Sequence, residues 1–209
     1  MGANDRINAM PASIPVFDIG GVLLDWNPRH LFRKIFEDEE RMEWFLANVC
    51  TSTWNLTADA GRPFAEGAEE LIAAHPDWET EIRAYDERWP EMIGGVLEDT
   101  LSLRERLRQR GPVYAITNYP REKWALSLEL WPFLKAFDGV IVSGEVGLLK
   151  PDAAIFELLL ERYGLAAEDC LFIDDVATNA EGARAAGLHG HHFEGAAGLE
   201  AELNRHGML

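Results

Sequence analysis

Short apolar runs alternate with amphipathic segments along most of this chain. Five runs have the length and composition of β-strands, namely IPVFD (14–18), VYAITN (113–118), GVIVS (139–143), CLFIDD (170–175) and HGHHF (189–193). The first four are rich in apolar and β-branched residues, which predicts strands that are buried on both faces. The fifth run is polar, and we expect it to form an edge strand.

The segments between the later strands have the spacing of helices. We predict helices over 98–111, with Gly111 as the C-terminal cap, over 151–164, with Gly164 as the stop, and over 179–187. Strands that alternate with helices imply right-handed crossovers and a parallel sheet covered on both faces. The sequence therefore predicts an α/β fold with a Rossmann-like, doubly wound parallel sheet.

One long segment, residues 27–94, interrupts this alternation. It shows no clear strand, and HLFRKIF (30–36) and RMEWFLANV (41–49) carry apolar residues at helical spacing. We expect its tryptophans to pack in a core and not to bind ligands. The prediction is an α/β core of residues 1–26 and 95–209 with a helical insertion between them.

Composition and charge restrict the function. The chain has 209 residues, 47% of them hydrophobic, and a formal net charge of −17. Because phosphate backbones are bound by clustered Lys and Arg, this charge argues against a nucleic-acid surface. A small-molecule substrate is consistent with this balance, since a local pocket can still bind an anion.

The sequence gives no sign of a membrane or an oxidising compartment. No apolar run approaches the ~20 residues needed to cross a bilayer. Residues 1–13 lack the layout of a signal peptide, and Cys50 and Cys170 have no metal-binding spacing. We expect reduced thiols, no membrane partner and a cytoplasmic protein.

Polar residues stand where four of the predicted strands end. They are Asp18, Thr117 with Asn118, Lys150 in the loop after the third strand, and Asp174 with Asp175. Because parallel strands end at the same edge of a sheet, where ligands bind, we expect one shared site.

The charges of that site do not balance. Three carboxylates, those of Asp18, Asp174 and Asp175, face one ammonium, that of Lys150. Either some carboxyl groups are protonated or a divalent cation lies among them. Hard oxygen ligands suit Mg²⁺, which commonly shares its coordination sphere with a substrate phosphate. Asp18 could then attack phosphorus to form an aspartyl phosphate, which water hydrolyses.

Four motifs, taken in order, resemble those of the haloacid dehalogenase-like superfamily of hydrolases. They are FDIGGVL (17–23), ITN (116–118), KPD (150–152) and FIDDVATNAEGARAAG (172–187). Together they span most of the chain.

The resemblance implies a role for each matched residue. Asp18 takes the nucleophile position, and Lys150 stabilises the nucleophile and the phosphoryl group. Thr117 and Asn118 bind phosphoryl oxygens. The implied Mg²⁺ ligands are Asp18, the backbone carbonyl of Gly20 and Asp175, which Asp174 supports. Asn179 falls on a position that often carries an acid or amide near the metal.

The resemblance also gives the helical insertion, 27–94, a meaning. Members of the superfamily often carry a helical cap between the first two motifs, above the site. The candidate substrate contacts in or beside this cap are Trp26, Asn27, Arg29, Asp59, Gly61 and Arg62. The implied substrate is a small phosphate ester, and the implied assembly is a monomer or a homodimer.

The chain departs from the pattern at Gly20. Phosphatases of the superfamily usually have an aspartate there, which protonates the leaving oxygen and then activates water. A subgroup of sugar-phosphate phosphatases has a similar glycine-containing motif. Without an acid, we expect turnover to depend steeply on the leaving group. The residues that could replace the acid, among which the sequence does not choose, are Asp25, His30, Asp59 and Glu145.

Two alternative functions stay open. A 2-haloacid dehalogenase would need no proton donor, which suits Gly20, but the Asp174–Asp175 pair does not suit a metal-free reaction on a carboxylate. A regulator that binds phosphate or metal without turnover is the second alternative. The histidines of the fifth run, His189, His191 and His192, are expected to be solvated or to pack.

Overall fold

The computed structural model describes residues 11–209, and its centre is a parallel β-sheet. The strands are β1 (Ile14–Phe17), β2 (Leu24–Trp26), β3 (Ile93–Val96), β4 (Tyr114–Thr117), β5 (Gly139–Val142), β6 (Cys170–Asp174) and β7 (His189–His192). Five of them form one sheet in the order β5-β4-β1-β6-β7, and every neighbouring pair is parallel. All five predicted strands are confirmed, and the polar run forms an edge strand as expected.

The sheet is covered on both faces, as the apolar runs predicted. Val16 and Phe17 are neighbours in β1, so their side chains point to opposite faces. Val16 packs in an apolar cluster with Ile116 and Phe172, whereas Phe17 packs in the larger cluster on the other face. This double burial confirms the doubly wound α/β architecture.

Helices occupy most of the remaining chain. Those described within residues 11–209 are α1 (Arg29–Phe32), α2 (Glu39–Asn48), α3 (Ser52–Asp59), α4 (Phe64–Ala74), α5 (Glu79–Glu87), α6 (Glu98–Arg108), α7 (Arg121–Leu130), α8 (Ser143–Val146), α9 (Ala153–Tyr163), α10 (Ala177–Ala185) and α11 (Ala196–Arg205). The three predicted helices correspond to α6, α9 and α10, and α9 ends at Gly164 in the left-handed conformation.

The predicted cap of α6 was wrong. The helix ends at Arg108, and Gln109 caps it in a right-handed conformation. The chain then turns through a hydrogen bond from the Arg110 N–H to the Leu107 carbonyl, 2.8 Å long. The Gly111 N–H donates to the same Leu107 carbonyl at 3.1 Å, and Gly111 has no positive φ, so the helix closes without a left-handed residue.

The inserted segment holds α1 to α5, and a small antiparallel ribbon joins its two ends. In the ribbon, Leu24 of β2 pairs with Val96 of β3, and Trp26 pairs with Ile93. The expectation that residues 27–94 contain no strand was wrong at this end, because β3 begins at Ile93. Two glycines make this four-residue strand a weak sequence signal. The division into core and cap stays a prediction.

The remaining sequence expectations have mixed outcomes. Cys50 and Cys170 are both buried and free, as expected for reduced thiols. Within the described chain, no helix is long and apolar enough to cross a bilayer. Most of the N-terminal segment that we searched for a signal peptide lies outside the described residues, and the cytoplasmic location stays a prediction.

Candidate active site

The polar residues at the strand ends surround one cavity at the carboxyl edge of the sheet. Asp18 follows β1, Asp174 ends β6, and Lys150 lies in the loop between α8 and α9. The cavity has a volume of about 200 Å³. It is lined by Asp18, Gly20, Gly21, Trp26, Asn55, Asp59, Trp89, Asn118, Tyr119, Pro120, Lys150, Asp175, Val176 and Asn179.

Lys150 joins two of the carboxylates. Its Nζ lies 2.9 Å from Oδ2 of Asp18 and 2.6 Å from Oδ2 of Asp174, and the residue is only 4% exposed. Asn118 fixes the backbone of Lys150 from both sides. Its Oδ1 accepts from the Lys150 N–H at 2.9 Å, and its Nδ2 donates to the Lys150 carbonyl at 3.1 Å. The ammonium is thus held between the ends of β1 and β6.

The carboxyl group of Asp18 is oriented by its own backbone. The Asp18 N–H donates to the Ile173 carbonyl on β6 at 2.8 Å, which continues the sheet pairing. Oδ1 accepts from the Ile19 N–H at 2.7 Å, and Oδ2 faces Lys150. Because both oxygens are held, the side chain has a fixed direction into the cavity.

Asp174 is a fully buried carboxylate with several donors. Besides Lys150, the Val176 N–H donates to Oδ1 at 2.8 Å, and Nδ2 of Asn179 lies within 3.0–3.1 Å of both oxygens. These contacts balance the cost of burying the charge. Asp174 does not itself line the cavity, whereas Asp175 and Asn179 do.

Three carboxylates lie close enough together to hold a cation. Asp18, Asp174 and Asp175 each offer an oxygen within 4.8 Å of the others. Gly21, at φ +71°, lets the Asp175 carboxylate approach the loop after β1, because an added Cβ there would lie 2.2 Å from Asp175 Oδ2. Gly20 lines the same part of the cavity. Oxygen donors of this kind suit Mg²⁺.

Burial is the largest influence on the pKa values of the site, and the neighbouring charges add to it or oppose it. Burial raises the pKa of Asp18 to about 7, with Lys150 opposing the rise and Asp174 and Asp175 adding to it. Burial and Asp174 raise the pKa of Asp175. For Lys150, burial disfavours the charged form, but Asp18 and Asp174 outweigh it and raise the pKa. A bound divalent cation would lower the carboxyl pKa values.

The four residues considered as replacements for the missing acid occupy different places. Asp59 lines the cavity and is 5% exposed. Asp25 and His30 pair with each other, Oδ2 to Nε2, at 2.9 Å and do not line it. Glu145 is exposed and is also outside the cavity lining. Of these residues, the structure brings only Asp59 to the site.

The residues expected to contact the substrate also differ in whether they line the cavity. Trp26 lines the cavity, but Asn27, Arg29 and Arg62 do not. Asn27 accepts the Arg29 N–H at 3.0 Å, and Arg29 pairs with Glu43.

Gly61, Arg62 and Thr117 are also absent from the lining of the main cavity. Arg62 pairs with Glu70 at 2.6 Å and, together with Gly61, lines a separate cavity. Thr117 is buried at the end of β4 and is not among the residues that line the main cavity.

Sequence reasoning missed several residues of the cavity wall. Asn55 stands one helical turn before Asp59 in α3, and that spacing was a usable signal. Trp89, Tyr119 and Pro120 form an apolar wall, and the rings of Trp89 and Tyr119 meet edge to face at 5.3 Å. Their positions depend on long-range packing, which no local pattern reveals.

The histidines of β7 differ in their contacts, and Nε2 of His191 is buried without a hydrogen-bond partner among the described residues. His189 contacts the Glu168 carbonyl and His192 contacts the Asp175 carbonyl, each at 3.0 Å through Nε2. Among the described residues, the group of ligand-type side chains close enough to hold a metal is the aspartate cluster, and the histidines are not part of it.

Comparison with known proteins agrees with the geometry. A family model of haloacid dehalogenase-like hydrolases matches residues 15–187. The chain is 35% identical over 195 residues to phosphatase MT3486 of Mycobacterium tuberculosis, covering 87% of each chain. It is 26% identical over 179 residues to sesquiterpene phosphatase astK of Aspergillus oryzae, covering 85% of this chain and 88% of that protein.

A solved structure shows the same fold. It is an enzyme of this family from Bacteroides thetaiotaomicron, in complex with magnesium and inorganic phosphate. The TM-score is 0.68 at 21% identity, covering 88% of this chain and 95% of that one. The resemblance read from the four motifs is confirmed. The chain is a hydrolase and belongs to the haloacid dehalogenase-like family.

Proposed function

We propose that this protein is a Mg²⁺-dependent phosphatase that hydrolyses a small phosphate ester through an aspartyl phosphate on Asp18. The observation that carries the proposal is the position of Lys150, whose Nζ bridges Asp18 and Asp174 beside a third carboxylate, that of Asp175. Such a site pairs a nucleophile with cationic groups, which phosphoryl transfer requires. The phosphatases among the relatives support the same chemistry.

Asp18 is the proposed nucleophile. The Ile19 N–H holds Oδ1, so that Oδ2 can attack phosphorus while Lys150 Nζ, 2.9 Å away, neutralises charge on the phosphoryl group. The bond from phosphorus to the leaving oxygen breaks as the bond to Asp18 forms. Water then attacks phosphorus and frees the carboxylate.

The residues present fit a Mg²⁺ ion. Asp18, Asp175 and the carbonyl of Gly20 would hold it, with Asp174 supporting them from outside the cavity lining and Asn179 lying within that lining. When bound, the ion supplies positive charge that lowers the pKa of Asp18 and offsets the charge of the phosphoryl oxygens. The cradle that Gly21 opens for Asp175 is the feature of this chain that favours an ion here.

Thr117 and Asn118 are proposed to bind phosphoryl oxygens. One N–H of the Asn118 amide donates to the Lys150 carbonyl, and the second is proposed to donate to the substrate. Thr117 is buried at the end of β4 and does not line the cavity, and its role stays a prediction.

The substrate enters beneath the proposed cap, residues 27–94. Trp26, Trp89, Tyr119 and Pro120 give the cavity an apolar wall, which favours a leaving group with apolar surface. The similarity to a sesquiterpene phosphatase supports a substrate with an apolar leaving group. The similarity, at 22% identity, to a phosphorylated carbohydrates phosphatase from Thermotoga maritima supports sugar phosphates as a second candidate class of substrate. Asn27 and Arg62 stay predicted substrate contacts, although neither lines the cavity.

A screen of phosphate esters tests the proposed function. We expect Mg²⁺-dependent phosphate release from aryl, prenyl or sugar phosphates, its loss in EDTA, and its loss in Asp18→Asn. Phosphate release by the Asp18→Asn variant would contradict the mechanism. Chloride release from 2-chloropropionate in EDTA, without phosphatase activity, would favour the dehalogenase alternative. Binding of Mg²⁺ and phosphate without turnover would favour the regulator.

A further inference from the structure

We propose that Asp59 is the catalytic acid and base that replaces the residue absent at Gly20. This proposal rests on the phosphatase function proposed above and adds a residue to it. Asp59 reaches the cavity from α3, in the inserted helical segment, and not from the loop after β1. Nucleophile and proton donor would thus come from different parts of the chain.

Asp59 lies in the same cavity as the gap left by Gly20. Asp59 and Gly20 line the same cavity, together with Asp18 and Lys150. Gly20 leaves open space above the loop, since an added Cβ would meet only Trp26 Cβ, at 3.7 Å. A carboxyl group that enters from the facing helix can occupy the region where a side chain at position 20 would otherwise act.

The side chain and the backbone of Asp59 are both held by hydrogen bonds. Asp59 Oδ2 accepts from Nδ2 of Asn55 at 3.1 Å, and Asn55 Oδ1 accepts from the Tyr85 hydroxyl at 3.2 Å. The Asp59 carbonyl accepts from the Ser143 hydroxyl at 2.6 Å, which ties the end of α3 to the start of α8. A surface carboxylate would not need this support, whereas a proton donor must be positioned to within a fraction of an ångström.

The protonation of the Asp59 carboxyl group also suits this role. Burial raises the pKa of Asp59 to about 7, and Lys150 opposes the rise. Acid and base forms are therefore both populated near neutral pH, which suits a group that donates and then accepts a proton. The titratable or charged residues that line the same cavity are Asp18, Lys150, Tyr119 and Asp175, and Tyr85 lies close enough for Asp59 to raise its pKa.

The two steps balance. As Asp18 bonds to phosphorus and the ester P–O bond breaks, the Asp59 carboxyl donates its proton to the leaving oxygen, which departs as an alcohol. The Asp59 carboxylate then takes a proton from water as that water attacks phosphorus. The bond between phosphorus and Asp18 breaks, phosphate leaves, and Asp59 is protonated again.

The test compares two substrates of similar shape in the full-length protein with Mg²⁺. p-Nitrophenyl phosphate releases the stable p-nitrophenolate ion, which needs no proton to leave. Benzyl phosphate would release a strongly basic alkoxide, so its leaving oxygen must be protonated as the bond to phosphorus breaks. For Asp59→Asn we expect cleavage of benzyl phosphate to fall ~10²–10⁴-fold, the contribution of a positioned acid. With p-nitrophenyl phosphate we expect a burst of nitrophenol at nearly the wild-type rate, then slow turnover while phosphoenzyme accumulates.

Two further variants are controls. Asp59→Glu keeps the carboxyl group, and we expect it to recover part of the benzyl phosphate activity. Glu145→Gln removes an exposed carboxylate outside the cavity, and we expect wild-type rates on both substrates. A folded Asp59→Asn protein that turns over benzyl phosphate at the wild-type rate, or that loses the nitrophenol burst and benzyl phosphate cleavage equally, would overturn the proposal.

The controls also separate this proposal from the proposed function. If Asp18→Asn is inactive and Asp59→Asn matches the wild type, the phosphatase mechanism stands and Asp59 is not its acid. If the wild-type protein releases phosphate from neither substrate, the phosphatase function fails, and the proposal for Asp59 fails with it.

Discussion

Burial changes the ionisation of single residues in this site, and Asp59 is an example. Its carboxyl group is almost wholly enclosed, and the hydrogen bond from Asn55 does not offset the loss of water around a charge. The protein therefore holds a group that is less stable ionised than it would be in the unfolded chain. Such a cost is typical of functional residues and has a measurable signature.

That signature is the pH dependence of stability. The pKa of Asp59 rises from 3.8 to about 7 on folding, so its contribution to stability is present below pH 4 and is lost as pH rises towards 7. Asp59→Asn has no carboxyl to ionise. In EDTA we expect it to be more stable than the wild type at pH 8, by up to about 4 kcal/mol at 1.36 kcal/mol per pKa unit.

Urea unfolding of both proteins between pH 4 and pH 8 measures this difference. The advantage of Asp59→Asn over the wild type should grow across the range and level off above pH 7. A constant difference at every pH would mean that the carboxyl group does not titrate abnormally. Glu145→Gln, which changes an exposed carboxylate, should show no such trend.

Among the elements, the turn after β1 does the most to build the site. It carries Asp18, Gly20 and Gly21, and it folds back through a hydrogen bond from the Gly21 N–H to the Leu24 carbonyl, 2.8 Å long. A left-handed Gly21 brings this turn against the carboxylate of Asp175, the residue that follows the neighbouring strand β6. The ends of β1 and β6 thereby form one cluster of oxygens.

Gly21→Ala tests this close approach. The new Cβ would lie 2.2 Å from Asp175 Oδ2, and φ of +71° is strained for any residue with a side chain. We expect a loss of stability of about 1–2 kcal/mol and a clear loss of Mg²⁺ affinity, measured by titration calorimetry. Gly111→Ala, in open space at an ordinary φ, is the matched control and should keep wild-type stability and affinity. Unchanged Mg²⁺ affinity in Gly21→Ala would contradict the proposed metal site.

Elements with a strong local pattern were the ones the sequence revealed. Four strands of the sheet follow apolar runs, and helices α6, α9 and α10 follow helical spacing. Each was predicted, as was the polar edge strand β7. The ribbon of β2 and β3 was missed because its pairing joins residues about 70 apart along the chain and β3 has two glycines. The end of α6 was misplaced because a right-handed turn can close a helix without using its nearby glycine.

At the scale of the whole molecule, the site joins distant segments. The topology of a parallel sheet brings the four motifs to one edge, so Asp18, Lys150, Asp174 and Asp175 could be placed together from the sequence. The cavity wall could not, because Trp89 and Asn55 reach it only through the packing of the inserted helices. Gly20 marked a missing group in the sequence, but only the folded chain selects Asp59 from the residues that could replace it.

Ser143 links the inserted segment to the core at this point. Its hydroxyl donates to the Asp59 carbonyl at 2.6 Å and accepts from the Tyr119 N–H at 2.8 Å. Ser143→Ala would leave both buried groups unpaired, and we expect a loss of about 1–3 kcal/mol in the free energy of unfolding. Because Asp59 would lose its anchor, kcat for benzyl phosphate should also fall.

Thermal unfolding and kinetics of Ser143→Ala check this coupling, with Ser102→Ala on the exposed face of α6 as control. The control should match the wild type in both measurements. Wild-type stability together with wild-type kcat in Ser143→Ala would show that the contact does not position Asp59.

The central claim is that Asp18 carries the phosphoryl group during turnover. The most direct measurement is to quench the Asp59→Asn variant during turnover of p-nitrophenyl phosphate with Mg²⁺ and to locate the phosphoryl group by mass spectrometry of peptides. We predict one phosphoryl group on the peptide that contains Asp18, and none when Asp18→Asn is added to the same variant. A phosphoryl group on another residue, or phosphate release that persists without Asp18, would contradict the account.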